Sequence, residues 1–328
     1  MINVTLVGSG GTLPAAMRPL TSLFLQIKNF GVLMDCGEGT QASFRDVKRR
    51  MLSVDVICIT HRHADHVLGL PGFLVTINQQ MIDLNSKKDI VIIAPVDAKG
   101  VIESLLSSID LHRLCICFMW IEEWHETFRF PQCSIEAFRL DHSVSCYGYA
   151  VTEKNIGHFD REAAAKCEVD ETQWGLLQSG YVVTTPSGAW DVKSVNTVPV
   201  ADLKVCYATD TALCDNLKEL LQDADLAVIE GMYYSENQIG SYRNLKHLTF
   251  QESVNTAKAS NVKRVWLTHF SPTVYNPTAG IEELREQGID VHNVECGKKG
   301  MYLEVHFKDV LEKQRKKKES VQSKTAGQ

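Results

Sequence analysis

Thr60-His61-Arg62-His63-Ala64-Asp65-His66, followed by Val67-Leu68-Gly69-Leu70-Pro71-Gly72, is the stretch whose reading decides the fold. Three histidines and one aspartate fall between positions 61 and 66. The preceding run Val54-Asp55-Val56-Ile57-Cys58-Ile59 is β-branched and apolar, which predicts a buried strand. The ligand-rich segment therefore begins where a strand ends, and a rigid strand end holds several side chains around one point. Imidazole nitrogens with carboxylate oxygens suit zinc and similar borderline ions. Four donors exceed what one open catalytic ion needs from a single loop, so the stretch implies two metals.

Working outward, other strand-like runs end in the same residue types. Gly31-Val32-Leu33-Met34 leads into Asp35-Cys36-Gly37-Glu38-Gly39-Thr40-Gln41, a turn and then a helix start, with Thr40 as cap of a helix expected to reach Arg50. Asp35 is placed either to orient a metal-bound histidine from behind or to satisfy backbone N–H groups of its turn. Cys133 to Leu140 ends at Asp141-His142-Ser143-Val144, and Val198 to Ala208 at Thr209-Asp210-Thr211. Val262 to Leu267 ends at Thr268-His269-Phe270-Ser271-Pro272. Collected, the candidate ligands are His61, His63, Asp65, His66, His142, Asp210 and His269. They suffice for two ions sharing one carboxylate, the arrangement used for in-line displacement at phosphorus. His112, His125, His158, His292 and His306 lack such context and read as ordinary polar residues.

Helices are expected over 72–82, 98–108, 217–222, 249–260 and 281–287. Leu226 to Gly231 reads as a buried strand. In the helix from Thr249, Glu252 three residues on completes a capping box. Gly8-Ser9-Gly10-Gly11 follows a strand but precedes no helix, so it reads as tight-turn glycines, with a cofactor loop and a loop lining the active site as alternatives. Strand-rich halves that each deliver ligands from strand ends predict an α-β sandwich: two mixed β-sheets face to face with helices outside.

The 328 residues are 44% hydrophobic and 23% charged, ordinary globular values. No run of 18 apolar residues predicts a membrane span. No basic start followed by an apolar core suggests a signal peptide. Ten cysteines occur without a C-x-x-C pair, which fits reduced thiols and a cytoplasmic protein. Net charge is −6. Lys308 to Gln328 carries seven Lys/Arg against three Asp/Glu, hence +4, leaving −10 on the rest. This tail is expected to be disordered. The acidic body is a poor general platform for a phosphate backbone.

The H-x-H-x-D-H loop resembles the metallo-β-lactamase superfamily. The surrounding motifs are narrower. Gly8-Ser9-Gly10-Gly11 with Pro14 and Arg18, Asp35-Cys36-Gly37-Glu38-Gly39-Thr40-Gln41, Gly69-Leu70-Pro71-Gly72, Asp141-His142-Ser143-Val144 with Tyr147-Gly148-Tyr149, Asp210-Thr211 and Leu267-Thr268-His269-Phe270-Ser271 resemble ribonuclease Z, over about residues 1 to 307. The resemblance implies an αββα fold in one domain, 1–307, with an arm-like insertion at about 159–180. It implies two Zn2+, with Mn2+ or Fe2+ accepted by the same ligands. One ion would be held by His61, His63 and His142, the other by Asp65, His66 and His269, with Asp210 bridging. Asp65 would also act as general base on a bridging hydroxide, and His247 would protonate the leaving oxygen. The implied reaction is endonucleolytic removal of the 3′ trailer from precursor tRNA by a homodimer. Asp170-Glu171-Thr172-Gln173-Trp174 stands where a Gly-Pro motif of the arm is expected, and Val294-Glu295-Cys296-Gly297 replaces an Ala-x-Asp-Gly-like segment. These departures and the acidic body keep a second reading open, a metal-dependent phosphodiesterase for a small diester such as a cyclic nucleotide. A metal-binding scaffold without catalysis is a third.

Overall fold

Aliphatic runs bounded by glycine and polar turns build both sheets, and their carboxyl ends position everything that follows. A computed structural model describes residues 1–15, 17–154, 161–178, 181–195, 201–234 and 244–307. In the first sheet, Ile2–Gly8 (β1), Ser22–Ile27 (β2) and Phe30–Met34 (β3) are antiparallel neighbours. Val56–Cys58 (β4), Lys88–Pro95 (β5) and Leu114–Ile121 (β6) then continue it in parallel. The second sheet begins at an edge with His125–Arg129 (β7), antiparallel to Ser134–Leu140 (β8), which is antiparallel to Cys146–Glu153 (β9). Next to β9 lies Leu203–Ala208 (β12), with Leu226–Glu230 (β13), Val265–Thr268 (β14) and Val294–Cys296 (β15) following in parallel. Tyr302–Val305 (β16) returns to pair antiparallel with β1. Both sheets are mixed, as expected.

Alternation sorts each strand's side chains between two faces. Phe24, Leu33, Ile57, Ile90 and Ile92 pack under helices Thr40–Asp46 (α1), Leu70–Asp83 (α3) and Lys99–Leu106 (α4). Cys206, Ala208, Ala227 and Ile229 pack under Asp215–Leu221 (α7), Phe250–Ala259 (α8) and Pro277–Glu286 (α9). The opposite faces meet between the sheets, where Tyr149 donates to the Ile59 carbonyl at 2.6 Å and Thr21 Oγ1 lies 2.7 Å from Thr268 Oγ1. This is the αββα sandwich.

The helix expected to reach Arg50 stops at Asp46. Lys48 takes a left-handed φ of 56°, and the chain turns through Met51–Ser53. Met51 and Val54 are buried, so the backbone folds back onto the sheet instead of extending. The capping box at Thr249 forms, with the Thr249 hydroxyl accepting Glu252 N and the Glu252 carboxylate accepting Thr249 N. β7 escaped the sequence reading because Phe128 is its one apolar residue, and an edge strand can be that polar.

Contacts divide the described residues into two compact units, one of Met1–Thr152 with Lys204–Val305, the other within Glu153–Leu203. The second contains Arg161–Lys166 (α5), Trp174–Gln178 (α6) and the hairpin Val183–Thr185 (β10) with Gly188–Trp190 (β11). Its small core gathers Ala164, Val169, Leu177 and Val183. The expected disordered tail, 308–328, lies outside the described residues, as do parts of the arm-like stretch at 159–160 and 179–180. Among the described residues no helix is long and apolar enough to cross a membrane.

Candidate metal centre

Six strand ends converge on one point. β3 delivers Asp35, β4 the His61–His66 loop, and β8 His142. β12 delivers Asp210, β13 Glu230, and β14 His269. Short helix Ala64–Val67 (α2) brings Asp65 and His66 around onto the same side. Asp35, Asp210 and His269 all take left-handed φ, at 57°, 57° and 55°. For residues bearing a Cβ this conformation costs roughly 1–2 kcal/mol each. It turns the chain sharply at the strand end while keeping a ligating side chain there, which glycine would not supply.

The structure brings all seven candidate ligands together. His61 Nε2 lies 3.0 Å from His63 Nδ1, which is 3.4 Å from His142 Nε2. On the other side, Asp65 Oδ2 lies 3.4 Å from His66 Nε2 and 3.5 Å from His269 Nε2. Asp210 stands between the groups. Its Oδ1 is 3.9 Å from His61 Nε2 and 4.0 Å from His142 Nε2, while its Oδ2 is 3.3 Å from both His66 Nε2 and His269 Nε2. The donor atoms of His61, His63 and His142, and those of Asp65, His66 and His269, each fall within 4.8 Å of one another.

These atoms are gathered yet poorly satisfied by the protein. His66 Nε2, Asp210 Oδ2 and both ring nitrogens of His269 are sealed from solvent without a hydrogen bond. Buried polar atoms are almost always paired, so such a cluster aimed at one point fits bound cations. The charges agree. Burial and the neighbouring His66 hold His61 well below the usual imidazole range. Burial likewise lowers His63 and His142. These three rings are neutral, the form that ligates. Burial also penalises charge on His269, but Asp210, Asp65 and Glu230 outweigh it and push the ring up to about 10. His66 is raised in the same way by Asp35, Asp210 and Asp65. Asp65 and Asp210 stay ionised despite burial because His66 and His269 face them. A carboxylate-rich pocket that raises its own imidazoles calls for positive charge.

A buried shell fixes the ligands from behind. Asp35 Oδ2 accepts His66 Nδ1 at 2.7 Å and the Tyr207 hydroxyl at 3.0 Å, and its Oδ1 accepts Thr60 N at 2.8 Å. Asp35 therefore does both things weighed for it, orienting a histidine and satisfying a backbone N–H. The Thr60 hydroxyl lies 2.9 Å from His61 Nδ1. The Gly8–Gly11 loop lines the site: Thr12 N donates to Asp65 Oδ2 at 2.9 Å, and a Cβ on Gly11 would sit 2.9 Å from the His269 ring.

His247 stands over the cluster, its Nδ1 2.9 Å from Glu230 Oε2 and 3.8 Å from Asp210 Oδ1. Burial would lower this histidine, but Glu230 and Asp210 raise it above its ordinary value. Glu230 is the functional residue that sequence reasoning passed over. It is fully buried, and its Oε1 accepts Thr211 N at 2.6 Å. The signal was present, since a carboxylate closes an otherwise apolar strand there as Asp210 follows β12. His125, left as an ordinary polar residue, lies 3.5 Å from Glu136 on the β7–β8 edge, away from the cluster.

Known proteins bear on this geometry. The family profile described as anti-Pycsar protein Apyc1 matches residues 2–156, and that described as beta-lactamase superfamily domain matches 195–270. A ribonuclease Z of Agathobacter rectalis is 34% identical over 286 residues, covering 87% of this chain and 93% of the relative. One of Clostridium perfringens is 34% identical over 326 residues, covering 94% and 100%. The chain belongs to the ribonuclease Z family. Its members are metal-dependent endoribonucleases, and the chain is a hydrolase of that kind. Among solved structures, the short form of human tRNase Z superposes with a TM-score of 0.65 at 23% identity, over 93% of this chain and 99% of that one. A metallo-beta-lactamase fold protein of Bacillus subtilis, YhfI, gives 0.65 at 15%. These two likenesses carry the fold alone. The ribonuclease Z resemblance and the sandwich expected from sequence are both upheld.

Proposed function

We propose that this ribonuclease Z family member is a dinuclear zinc endonuclease that removes the 3′ trailer from precursor tRNA, cutting after the discriminator nucleotide to leave a 3′-hydroxyl. The single observation that carries the reading is Asp210, whose two oxygens face different histidine groups, as a carboxylate shared by two ions would. His61, His63 and His142 would hold one ion, and Asp65, His66 and His269 the other. Bound there, two divalent cations supply positive charge to the phosphoryl oxygens and lower the pKa of water.

The chain's own groups do the rest. Asp65 takes the proton of the attacking water, being ionised and fixed by Thr12 N. His247, held protonated by Glu230, gives a proton to the departing 3′ oxygen, which would otherwise leave as an unstable alkoxide. Residues 1–307 form one metallo-β-lactamase-fold domain, with 159–180 as a modified arm; the interruption of the larger unit at 153–203 supports this. The enzyme acts as a cytoplasmic homodimer, and a monomer by light scattering at micromolar concentration overturns that part.

One observation favours the smaller-diester reading. Glu153 to Leu203 carries four Lys/Arg and eight Asp/Glu, a net −4 where a tRNA grip needs cations. Purified enzyme is therefore given a precursor tRNA and bis(p-nitrophenyl) phosphate. Cleavage of both is expected; cleavage of the ester alone overturns the tRNA assignment. Asp65→Ala is expected to abolish turnover of either, and unchanged activity refutes the mechanism.

A further inference from the structure

A cleft of about 450 Å3 opens beside the metal centre, walled in part by Gly10, Gly11, Pro14, Arg18, Phe270 and Tyr275. This lies within the range of small-ligand sites, roughly 300–1,000 Å3. Its rim leaves large apolar side chains in water: Leu13 is 63% exposed, Met17 91% and Tyr275 87%. Apolar groups gathered at one place on a surface mark a binding site more often than chance exposure.

The cleft is built from two loops tied together. Gly11 N donates to the Phe270 carbonyl at 3.0 Å. Arg18 Nη1 donates to the Val274 carbonyl at 2.6 Å, and Nη2 to the Tyr275 carbonyl at 3.1 Å. The guanidinium is thus turned to backbone and joins the walls, so the cleft offers an occupant mainly apolar surface. The back wall belongs to the reaction centre as well, since Gly11 packs on the His269 ring and Thr12 N holds Asp65. An occupant of the cleft would therefore have only the Gly11–Thr12 backbone between it and His269 and Asp65.

We propose that this cleft holds a nucleobase adjoining the scissile phosphate, stacked on Tyr275 and packed against Leu13 and Met17. A base has two apolar faces and is tethered to phosphorus by a short sugar link, which matches apolar walls that share Gly11 with the reaction centre. Stacking without edge contacts tolerates any base. The proposal deepens the phosphodiesterase reading above and rests on it.

The test compares two p-nitrophenyl diesters, thymidine 5′-(p-nitrophenyl) phosphate and methyl p-nitrophenyl phosphate, on wild type and Tyr275→Ala. Wild type is expected to prefer the nucleoside ester. The ratio of kcat/KM values, nucleoside over methyl, is expected to fall by roughly 5- to 150-fold in Tyr275→Ala, the range for loss of one base–aromatic stack. Met17→Ser, at a second exposed rim position, is expected to lower the ratio in the same direction. An unchanged ratio in both variants overturns the subsite while leaving the phosphodiesterase reading intact. A wild type inactive on both esters overturns that reading and the proposal with it. Equal losses on both esters together with a smaller particle in light scattering assign the face to a second copy of the chain and overturn the nucleobase.

Discussion

Replacing Glu230 by glutamine separates the proton donor from the metal chemistry. The carboxylate is fully buried and accepts two bonds, from His247 Nδ1 at 2.9 Å and from Thr211 N at 2.6 Å. Glutamine preserves the shape and can still accept Thr211 N, but it carries no charge to hold a protonated imidazole. A hydrogen bond to a charged group contributes about 1.5–3 kcal/mol, so kcat on an RNA substrate should fall by roughly 10- to 150-fold. The same variant should lose far less on bis(p-nitrophenyl) phosphate, whose phenolate leaves as a stable anion and needs no proton. The pH profile supplies a second readout. A histidine acid is protonated below its pKa, and Glu230 holds His247 above its ordinary value against the opposing effect of burial. Glu230→Gln removes that support, so the alkaline limb of kcat on RNA should move to lower pH. Equal losses on both substrates would place Glu230 in metal holding or water attack, and no loss on RNA would refute the role given to His247.

Removal of metal should destabilise the fold: with ligand at 100 to 1,000 times its dissociation constant, bound ions stabilise by about 3–4 kcal/mol, so calorimetry with and without a chelator should show a Tm lower by several degrees after chelation. An unchanged Tm would mean that the cluster holds no cation. Gly37→Ala is expected to cost roughly 1–3 kcal/mol or more and to depress activity, because its Cβ would lie 1.9 Å from the Asp65 carbonyl oxygen. Wild-type stability and activity in that variant would show that the turn tolerates a side chain.

The ligands were legible because each follows an apolar run, and a strand end is a place where sequence alone fixes both position and direction. His142 was assigned from its place after a strand and an Asp together with the count it completes, and its Nε2 lies 3.4 Å from His63 Nδ1. Tyr207 was not legible for a related reason, whereas Glu230 left a signal, a carboxylate closing an apolar strand, that was passed over. Tyr207 sits inside a run that reads as uninterrupted core, and only the fold shows that it reaches across from β12 to Asp35 at the end of β3. Contacts made between sheets leave no spacing in the chain. The early end of α1 was likewise hidden, since it depends on Met51 and Val54 finding the core rather than on any local breaker.

The left-handed residues at the strand ends put a conformational cost where the chemistry gathers. Asp35, Asp210 and His269 each adopt a backbone that glycine would take at little cost, yet each must carry a side chain into the cluster. Roughly 1–2 kcal/mol per residue is accepted there, and it persists only because surrounding structure holds the geometry. The holding is visible. Thr60 N and Tyr207 fix Asp35, and the Asp210 segment is tied through Thr211 N to Glu230. The Gly10–Gly11 turn clamps the His269 loop through Phe270. The same contacts that hold the strained turns also aim the ligands, so loosening one strand end should disturb both sheets' contributions together. That coupling is the physical reason a site assembled from residues more than 200 positions apart can hold its donor atoms within a few ångströms.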